Sequence, residues 1–315
     1  MIVTLTANPS LDRAVTLGAA LRVGEVQAAL GLREDAGGKG INVAGVVAAA
    51  GHPTLAVLPL DESDPFAAVL RATGLPVAPV ALAGSARANL TIADGEGVTT
   101  KINLPGVTRT AADAEALVTA TVAAARRAQW LVLAGSLPPG VPDDFYVDVI
   151  AAVRADSTTP PRIAVDTSGP ALQAVVDRGA PDLIKPNDDE LVELTGIPLD
   201  ASRDLADAVR VVAAELVPSR VGSAFVTLGA QGAVLVTFDG AWHGTPPPTR
   251  VRSTVGAGDS SLAGFLLASV SGGSAEECVR NGIRYGSAAA ALPGTQAPTP
   301  ADLLPGDVPV RSLTP

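Results

Sequence analysis

The feature that most constrains the fold is the alternation of short β-branched segments with longer alanine-rich segments along a chain of 315 residues. This pattern is typical of βα units, which build a mostly parallel sheet flanked by helices. The β-branched segments predict strands at 2–6, 54–58, 130–134, 162–166, 183–185, 224–228 and 233–237. The alanine-rich segments predict helices at 41–50, 65–72, 112–127, 143–154, 205–216, 258–271 and 275–292. The tail from Pro293 is expected to be loosely structured.

Two stretches, at about 13–35 and 86–106, interrupt the alternation. Both contain strand-like segments, such as 88–92 and 98–102, with no helix between them. They are expected to pair into a small antiparallel sheet beside the main one. Such a sheet can act as a lid over a site at the strand ends, or it can be a surface flap without a catalytic role. The pattern alone leaves both interpretations open.

Charge and composition narrow the class of partner. The formal net charge is -10, which argues against nucleic acid because a phosphate backbone requires a basic surface. No apolar run reaches the roughly 18 residues of a membrane span, and the first residues lack a secretory pattern. The single cysteine, Cys278, cannot form an internal disulfide, which favours a reducing cytoplasm. Small anionic substrates remain compatible with this charge.

The strongest motif is a glycine turn followed directly by an apolar helix. The turn is Gly256-Ala257-Gly258, and Asp259 comes next. Unpaired N–H groups and the positive end of the helix dipole would meet at such a turn, which suits a phosphoryl group. Asp259 would lie beside it as a base that accepts the proton of an attacking hydroxyl. Taken alone, the motif favours the structural alternative, a tight turn in which Asp259 only caps the helix.

A second glycine-rich motif lies near the beginning of the chain. Gly37 and Gly38 would allow a ligand to approach the backbone, and Lys39 would supply a compact positive charge. Asn42 would face the same side one turn into the helix. The spacing differs from a Walker A loop. A plain glycine-rich helix entry with an exposed lysine is the alternative.

The third motif ends a predicted strand at Lys185 and continues through Pro186 and Asn187 to Glu190. Asn187 and Glu190 have the spacing of a capping box, so a structural role is strongly indicated. Their oxygens are also of the kind that Mg²⁺ prefers, and we expect them to hold hydrated magnesium beside nucleotide phosphates. The two roles are compatible.

Weaker signals complete the candidate site. A turn after the first strand would present Asp12 to sugar hydroxyls, and Arg87 and Asn89 open the second insertion, where they would bind a substrate phosphate. A turn residue and exposed lid residues are the alternatives. Further candidates at strand ends are Ser136 for the sugar and Thr227, Gly229 and Gly232 for the nucleotide. Two isolated histidines, His52 and His243, and one cysteine make a zinc site or a Cys–His nucleophile improbable.

The motifs resemble those of the ribokinase-like (PfkB) carbohydrate kinases. Segments 37–42 and 253–260 are similar to the two family signatures, and the segment from Lys185 to Glu190 lies between them in the expected order. The resemblance covers essentially residues 1–315 as one kinase domain. Within the family, the segments 4–12, 87–89 and 102–106 resemble the 1-phosphofructokinase branch, which also holds tagatose-6-phosphate kinase and the minor 6-phosphofructokinase.

The resemblance implies a Rossmann-like α/β core with a β-sheet lid, a homodimer formed through the lids, and MgATP as donor. It favours fructose 1-phosphate as acceptor, with tagatose 6-phosphate and fructose 6-phosphate as alternatives. It implies Asp259 as base in an anion hole of Gly256, Ala257 and Gly258. The sugar phosphate would contact Asp12, Gly37, Gly38, Lys39, Asn42, Arg87, Asn89 and Ser136. The nucleotide would contact Lys185, Asn187, Thr227, Gly229, Gly232, Ser253 and Val255.

Two rival functions stay open at this stage. A catalytically silent sugar-phosphate sensor on the same fold would bind the sugar phosphate without turnover of ATP, and the retained Asp259 argues against it. A nicotinamide-dependent dehydrogenase would need a G-x-G-x-x-G fingerprint, and position 261 of this chain is Ser261.

Overall fold

The computed structural model of the protein describes residues 1–96, 98–294 and 296–313. The α-helices in these ranges are α1 (Lys39–Ala49), α2 (Pro65–Ala72), α3 (Ala111–Ala125), α4 (Phe145–Asp156), α5 (Gly169–Arg178), α6 (Asp188–Thr195), α7 (Leu205–Ala214), α8 (Ala257–Val270) and α9 (Ala275–Ala291). The strands are β1 (Ile2–Leu5), β2 (Ser10–Leu17), β3 (Ala29–Gly37), β4 (Thr54–Leu60), β5 (Val77–Ala81), β6 (Arg87–Ala93), β7 (Thr99–Asn103), β8 (Trp130–Ala134), β9 (Arg162–Asp166), β10 (Leu183–Ile184), β11 (Ser223–Thr227), β12 (Ala233–Thr237), β13 (Gly240–Gly244) and β14 (Val310–Leu313).

The main sheet has ten strands in the order β14-β13-β12-β11-β10-β9-β8-β1-β4-β5. The strands from β11 to β5 in this order are parallel, and β12, β13 and β14 extend one edge in antiparallel fashion. The predicted mostly parallel sheet is therefore confirmed. The expectation of a loosely structured tail was wrong, because Val310–Leu313 pairs with Gly240–Gly244 across the edge of the sheet.

The core lies on both faces of this sheet because successive strand residues point to opposite sides. In β8, Leu131 and Leu133 pack in a cluster with α3 to α7, whereas Trp130 and Val132 pack in a cluster with α1, α8 and α9. Burial of each large apolar side chain is worth about 1.5–3 kcal/mol. Helices α3, α6 and α9 begin with capping boxes, which satisfy their first N–H groups.

The two insertions form a second sheet of four strands in the order β3-β2-β6-β7. Its central pair, β2 and β6, is parallel, and the two outer pairs are antiparallel. The small sheet was predicted correctly, but the prediction that all its strands are antiparallel was wrong. The parallel pair arises because β2 and β6 both leave the core edge in the same direction, after β1 and β5 respectively. β2 already begins at Ser10 and β3 reaches Gly37, so the sheet is anchored at the glycine-rich entry of α1.

The topology gathers the candidate residues at one edge. The parallel strands all end at the same side of the main sheet, and ligands of open α/β sheets bind in the crevice outside these carboxyl ends. β1 leads to Asn8, β8 to Ser136, β9 ends at Asp166, and β10 leads to Lys185. Among the helices of the described residues, none combines the length and apolar character needed to cross a bilayer.

Candidate active site

The glycine turn before α8 exposes backbone donors. Gly256 has φ 76, in the left-handed region where a side chain is strained, and it precedes the first residue of α8 without any side-chain cap. The N–H groups of Gly256, Gly258 and Asp259 find no acceptor among the described residues, and that of Ala257 has only the Thr254 carbonyl at 3.4 Å. Orphan donors at the positive end of a helix form a cradle for an anion.

Asp259 lies in the first turn of α8 beside this cradle, and only 7% of its surface is exposed. Its Oδ2 accepts a hydrogen bond from Asn42 Nδ2 at 2.7 Å. Burial and the negative charge of Asp166 raise the pKa of Asp259 to about 6, against the lowering effects of Lys39, Asn42 and Lys185. A carboxyl group with a pKa close to neutral is well matched to taking a proton from an alcohol near pH 7.

A buried ion cluster adjoins Asp259. The fully buried Asp166 carboxylate contacts Lys39 Nζ through Oδ1 at 2.7 Å and Lys185 Nζ through Oδ2 at 3.2 Å. Burial raises the pKa of Asp166, but the two lysines outweigh it and leave the pKa below its ordinary value. Burial lowers the pKa of Lys39, and the charges of Asp166, Asp259 and Glu190 more than reverse this effect. Asp166 was missed in the sequence, where it looks like an ordinary strand end.

In the four-stranded sheet, β2 and β6 place three polar side chains together. Asp12 Oδ1 accepts hydrogen bonds from Ser10 Oγ at 2.7 Å and from Asn89 Nδ2 at 2.8 Å. Asp12 and Asn89 are direct partners in the parallel register. A Cβ built on Gly37 would lie 2.2 Å from Asp12 Oδ2, so this glycine makes room for the carboxylate. Burial raises the pKa of Asp12, against the lowering effects of Ser10 and Asn89.

Arg87 and Ser136 meet at Asn8. The Asn8 carbonyl accepts a hydrogen bond from Arg87 Nε at 3.4 Å, and Asn8 Nδ2 donates to Ser136 Oγ at 3.4 Å and to the Pro105 carbonyl at 3.2 Å. Asn8 therefore joins the loops after β1, β7 and β8, a role that no sequence signal assigned to it. Burial lowers the pKa of the half-buried Arg87, against the raising effect of Asp12.

Small residues at the entry of α1 allow it to approach the end of β1. Gly38 has φ 127, and a Cβ built on it would lie 2.7 Å from Thr6 Cγ2. A Cβ on Gly40 would lie 2.4 Å from Thr6 Oγ1 and 3.0 Å from the Leu5 carbonyl oxygen. This close approach places Lys39 and Asn42 against Asp166 and Asp259.

On the opposite side of the cluster, Asn187 and Glu190 form the predicted capping box. Asn187 Oδ1 accepts the Glu190 N–H at 2.7 Å, and Glu190 Oε2 accepts the Asn187 N–H at 2.9 Å. Asn187 also forms a parallel bridge with Thr227. Gly229 and Gly232, with φ 54 and 93, shape the turn after β11. No hydrogen bond between described residues joins this turn to the segment of Ser253 and Val255.

A direct magnesium cage is not built here. The described residues contain no group of three or more His, Cys, Asp or Glu side chains able to hold a metal ion. The capping box already occupies one oxygen each of Asn187 and Glu190, and Glu190 Oε1 remains. This donor set fits a hydrated Mg²⁺ held mainly by nucleotide phosphates and water, as is usual for this ion.

His243 and Cys278, which are improbable as catalytic residues from the sequence, lie in structural surroundings. His243 on β13 contacts the Gln231 carbonyl through Nε2 at 2.9 Å. Cys278 is buried in the core cluster of α8 and α9, and burial raises the pKa of its thiol to about 11. The thiol is therefore protonated at neutral pH and is no nucleophile.

Comparison with known proteins supplies an independent view. A family model described as "pfkB family carbohydrate kinase" matches residues 6–302. A 1-phosphofructokinase of Rhodobacter capsulatus is 36% identical over 320 residues, covering 100% of this chain and 98% of that protein. The ATP-dependent 6-phosphofructokinase isozyme 2 of Escherichia coli strain K12 is 34% identical, covering 94% of each chain.

Solved structures agree with the fold. Phosphofructokinase-2 from Escherichia coli, in complex with substrates and products, superposes with a TM-score of 0.87 at 33% identity over 96% of both chains. Arabidopsis thaliana ribokinase has a TM-score of 0.70 at 24% identity over 93% of both chains, a likeness of fold alone. The predicted ribokinase-like fold class is thereby confirmed.

Proposed function

Because the chain belongs to the pfkB family of carbohydrate kinases, we propose that it transfers the γ-phosphoryl group of ATP to fructose 1-phosphate, giving fructose 1,6-bisphosphate. The observation that carries the proposal is the buried Asp259 beside the unpaired N–H groups of Gly256 and Gly258. The similarity to a 1-phosphofructokinase along the full chain supports the choice of acceptor. In this proposal, residues 1–315 form one kinase domain, and the four-stranded sheet is its lid. The proposed location is the cytoplasm, which the single Cys278 suggests.

The acceptor would lie between the lid and the end of β1. Asn89 Oδ1 is buried and has no partner among the described residues, so it suits a sugar hydroxyl that donates to it. Asp12 keeps Oδ2 available for a second hydroxyl, because its bonds with Ser10 and Asn89 use Oδ1. Arg87 would bind the phosphate already on the sugar, for which a planar guanidinium is well suited.

Transfer would proceed by attack of the free primary hydroxyl on the γ-phosphorus of ATP. The acceptor oxygen forms the new P–O bond, the bond to the β-γ bridging oxygen breaks, and ADP leaves with that oxygen. Asp259 takes the hydroxyl proton, and the N–H groups of Gly256 to Gly258 stabilise the equatorial oxygens. Closure of the lid would exclude water that otherwise competes as acceptor.

The donor would lie on the other side of the ion cluster. Lys185 would face the nucleotide phosphates, while Thr227, Gly229, Gly232, Ser253 and Val255 would line the nucleoside. Asn187 and Glu190 would hold Mg²⁺ through water, and when bound the ion would offset the charge of the phosphates.

A panel of acceptors tests the proposed function. ADP release is measured with fructose 1-phosphate, fructose 6-phosphate and tagatose 6-phosphate under identical conditions. We expect the highest kcat/KM with fructose 1-phosphate. A higher value with fructose 6-phosphate would favour the second candidate, a 6-phosphofructokinase, which the 34% identity to the Escherichia coli isozyme 2 supports. A highest value with tagatose 6-phosphate would favour the tagatose-6-phosphate kinase of the same branch. Binding of a sugar phosphate without ADP release would indicate the sensor.

The outer face of the four-stranded sheet supports a homodimer formed through the lid. Leu32 is 62% exposed and Ile102 is 48% exposed. The register places them on one face with Val15, Leu90 and Ile92, opposite to the face that carries Asp12. An apolar patch of this kind on a two-sided sheet marks an interaction surface.

We expect the double variant Leu32→Asp/Ile102→Asp to be monomeric, because two buried carboxylates would oppose association. Analytical ultracentrifugation over a range of concentrations gives the mass. The matched control is Phe238→Asp, which changes an apolar side chain that is 78% exposed on the turn between β12 and β13, and it should keep the wild-type mass. A dimer that persists in the double variant would place the interface elsewhere.

A further inference from the structure

We infer that Asp166 is a positioning residue that holds Lys39 on the acceptor side and Lys185 on the nucleotide side of the transferred phosphoryl group. This inference rests on the proposed function of the site. It assigns Asp166 no contact with either substrate. The residue would act through the two ammonium groups and through the field of its own charge at the base.

Each oxygen of the Asp166 carboxylate contacts a different lysine. Oδ1 lies 2.7 Å from Lys39 Nζ and Oδ2 lies 3.2 Å from Lys185 Nζ. The two lysines come from separate elements, the first residue of α1 and the residue after β10. The sequence contains only three lysines among 22 basic residues, and two of them meet at this carboxylate. An ammonium on a flexible four-carbon stem gains a defined position from such a partner.

The backbone of Asp166 is itself held firmly. Its carbonyl accepts the Gly135 N–H at 2.9 Å. The Gly135 carbonyl in turn accepts hydrogen bonds from Tyr146 Oη at 3.0 Å and Thr167 Oγ1 at 2.9 Å. Because these groups are all buried, the carboxylate projects from a rigid part of the sheet. A rigid anchor of this kind can hold two mobile cations within the narrow tolerance that phosphoryl transfer requires.

Both cations lie next to the reacting centre. A Cβ built on Gly258 would lie 3.3 Å from Lys185 Nζ, which places this ammonium against the glycine turn. Lys39 begins the helical turn in which Asn42 binds Asp259. A phosphoryl group seated in the cradle would therefore lie near Lys185, and Lys39 would lie on the helix that holds Asp259 through Asn42.

The charges around the base make the inference testable. The charged groups that act on Asp259 are Asp166, Lys39 and Lys185, and Asn42 donates a hydrogen bond to it. After burial, the charge of Asp166 is the largest cause of the raised pKa of Asp259. Removal of this charge should therefore lower the pKa of the base, whereas a purely structural residue would leave it unchanged.

The test is Asp166→Asn, which keeps the shape and removes the charge. With the best acceptor of the wild-type enzyme, we expect kcat to fall about 100-fold because the lysines lose their anchor. The acid limb of the kcat profile should move to lower pH by about one pH unit. The control is Asp182→Asn, which changes the carboxylate that accepts the Ile163 N–H at the opposite end of β9, and its acid limb should stay in place.

A second variant covers the case in which Asp166→Asn does not fold. Lys39→Met removes the more exposed lysine and leaves Asp166 paired with Lys185. Because Lys39 lowers the pKa of Asp259, the acid limb of the kcat profile of Lys39→Met should move in the other direction, to higher pH. If both variants fold, the double variant should lose little more than Asp166→Asn alone, since the two residues act through one contact.

Failure of the proposed function is distinguishable from failure of this inference. If no sugar phosphate is phosphorylated, the proposed function is wrong, and the inference is then tested by ¹³C NMR titration of the Asp259 carboxyl, identified by its loss in Asp259→Asn. An apparent pKa that falls in Asp166→Asn supports the inference. An unmoved acid limb and an unmoved titration in both variants would overturn it.

Discussion

Replacement of Asp259 by Asn is expected to lower kcat by about three orders of magnitude. The variant keeps the size and hydrogen-bonding shape of the side chain but cannot take the proton of the attacking hydroxyl. Binding of ATP and of the sugar phosphate should change little, because the cradle and the acceptor contacts are built from other residues. Steady-state kinetics and calorimetric binding measure the two effects separately.

The pH dependence follows from the same residue. Asp259 must be ionised to act as a base, and its pKa is raised to about 6. The kcat of the wild-type enzyme should therefore fall about tenfold per pH unit below that value, and Asp259→Asn should lack this limb.

The free energy of unfolding should change with pH in the opposite direction to kcat. A folded-state pKa above the unfolded value means that the folded state favours the protonated carboxyl, so the wild-type free energy of unfolding decreases as pH rises from about 4 to about 6. The asparagine variant removes this cost and should be more stable at pH 8 by about 1–3 kcal/mol. Urea denaturation at pH 8 measures the difference.

The matched control for Asp259→Asn is Asp207→Asn. Asp207 occupies the same third position in α7 that Asp259 occupies in α8, and it is paired with Arg210 at the surface. Its replacement should leave kcat unchanged. If Asp259→Asn turns over at a rate within tenfold of the wild type, the assignment of the base is wrong.

A second large effect is expected from Gly256→Val. A β-branched residue at φ 76 is a conformational outlier, so the turn must shift and the N–H groups of the cradle lose their common direction. Loss of such donors costs about 10²–10³-fold in kcat. The matched control is Gly51→Val at the end of α1, where φ is 75 and no atom lies within 4 Å of the added Cβ.

The two glycine variants separate stability from catalysis. Each should lower the free energy of unfolding by about 1–2 kcal/mol through the same backbone strain. Only Gly256→Val should lower kcat, and sugar-phosphate binding should persist. Equal loss of kcat in both variants would mean that the effect is general destabilisation and that the cradle has no role in transfer.

Local patterns predicted much of the fold because they depend on nearby residues. The strand Trp130–Ala134 and the helix Pro65–Ala72 have the predicted bounds, since both are marked by apolar runs or by a proline at the helix start. The helix Gly169–Arg178 was missed although it is a local element, whereas three missed strands depend on distant partners. Val77–Ala81 contains Pro79 and is stable as an edge strand beside β4. Gly240–Gly244 and Val310–Leu313 pair with each other although more than 60 residues separate them.

The same distinction applies to the site. Asp259, Lys39 and Lys185 stand in or next to glycine turns and strand ends, which are visible in the sequence. Asp166 has no such signal in the sequence. The two lysines that it contacts lie 127 and 19 residues away along the chain, and only folding brings them together. Asn8 is similar, since its side-chain amide contacts loop residues 97 to 129 positions further along the chain.

Strand β1 lies inside the main sheet, third from the edge formed by β5. β1 pairs with β4 on one side and with β8 on the other. During synthesis, one edge of this buried strand stays unpaired until residue 54 has been made, and the other edge stays unpaired until residue 130 has been made. The nascent chain therefore carries an unpaired strand edge, which is prone to aggregation, until β8 has been synthesised.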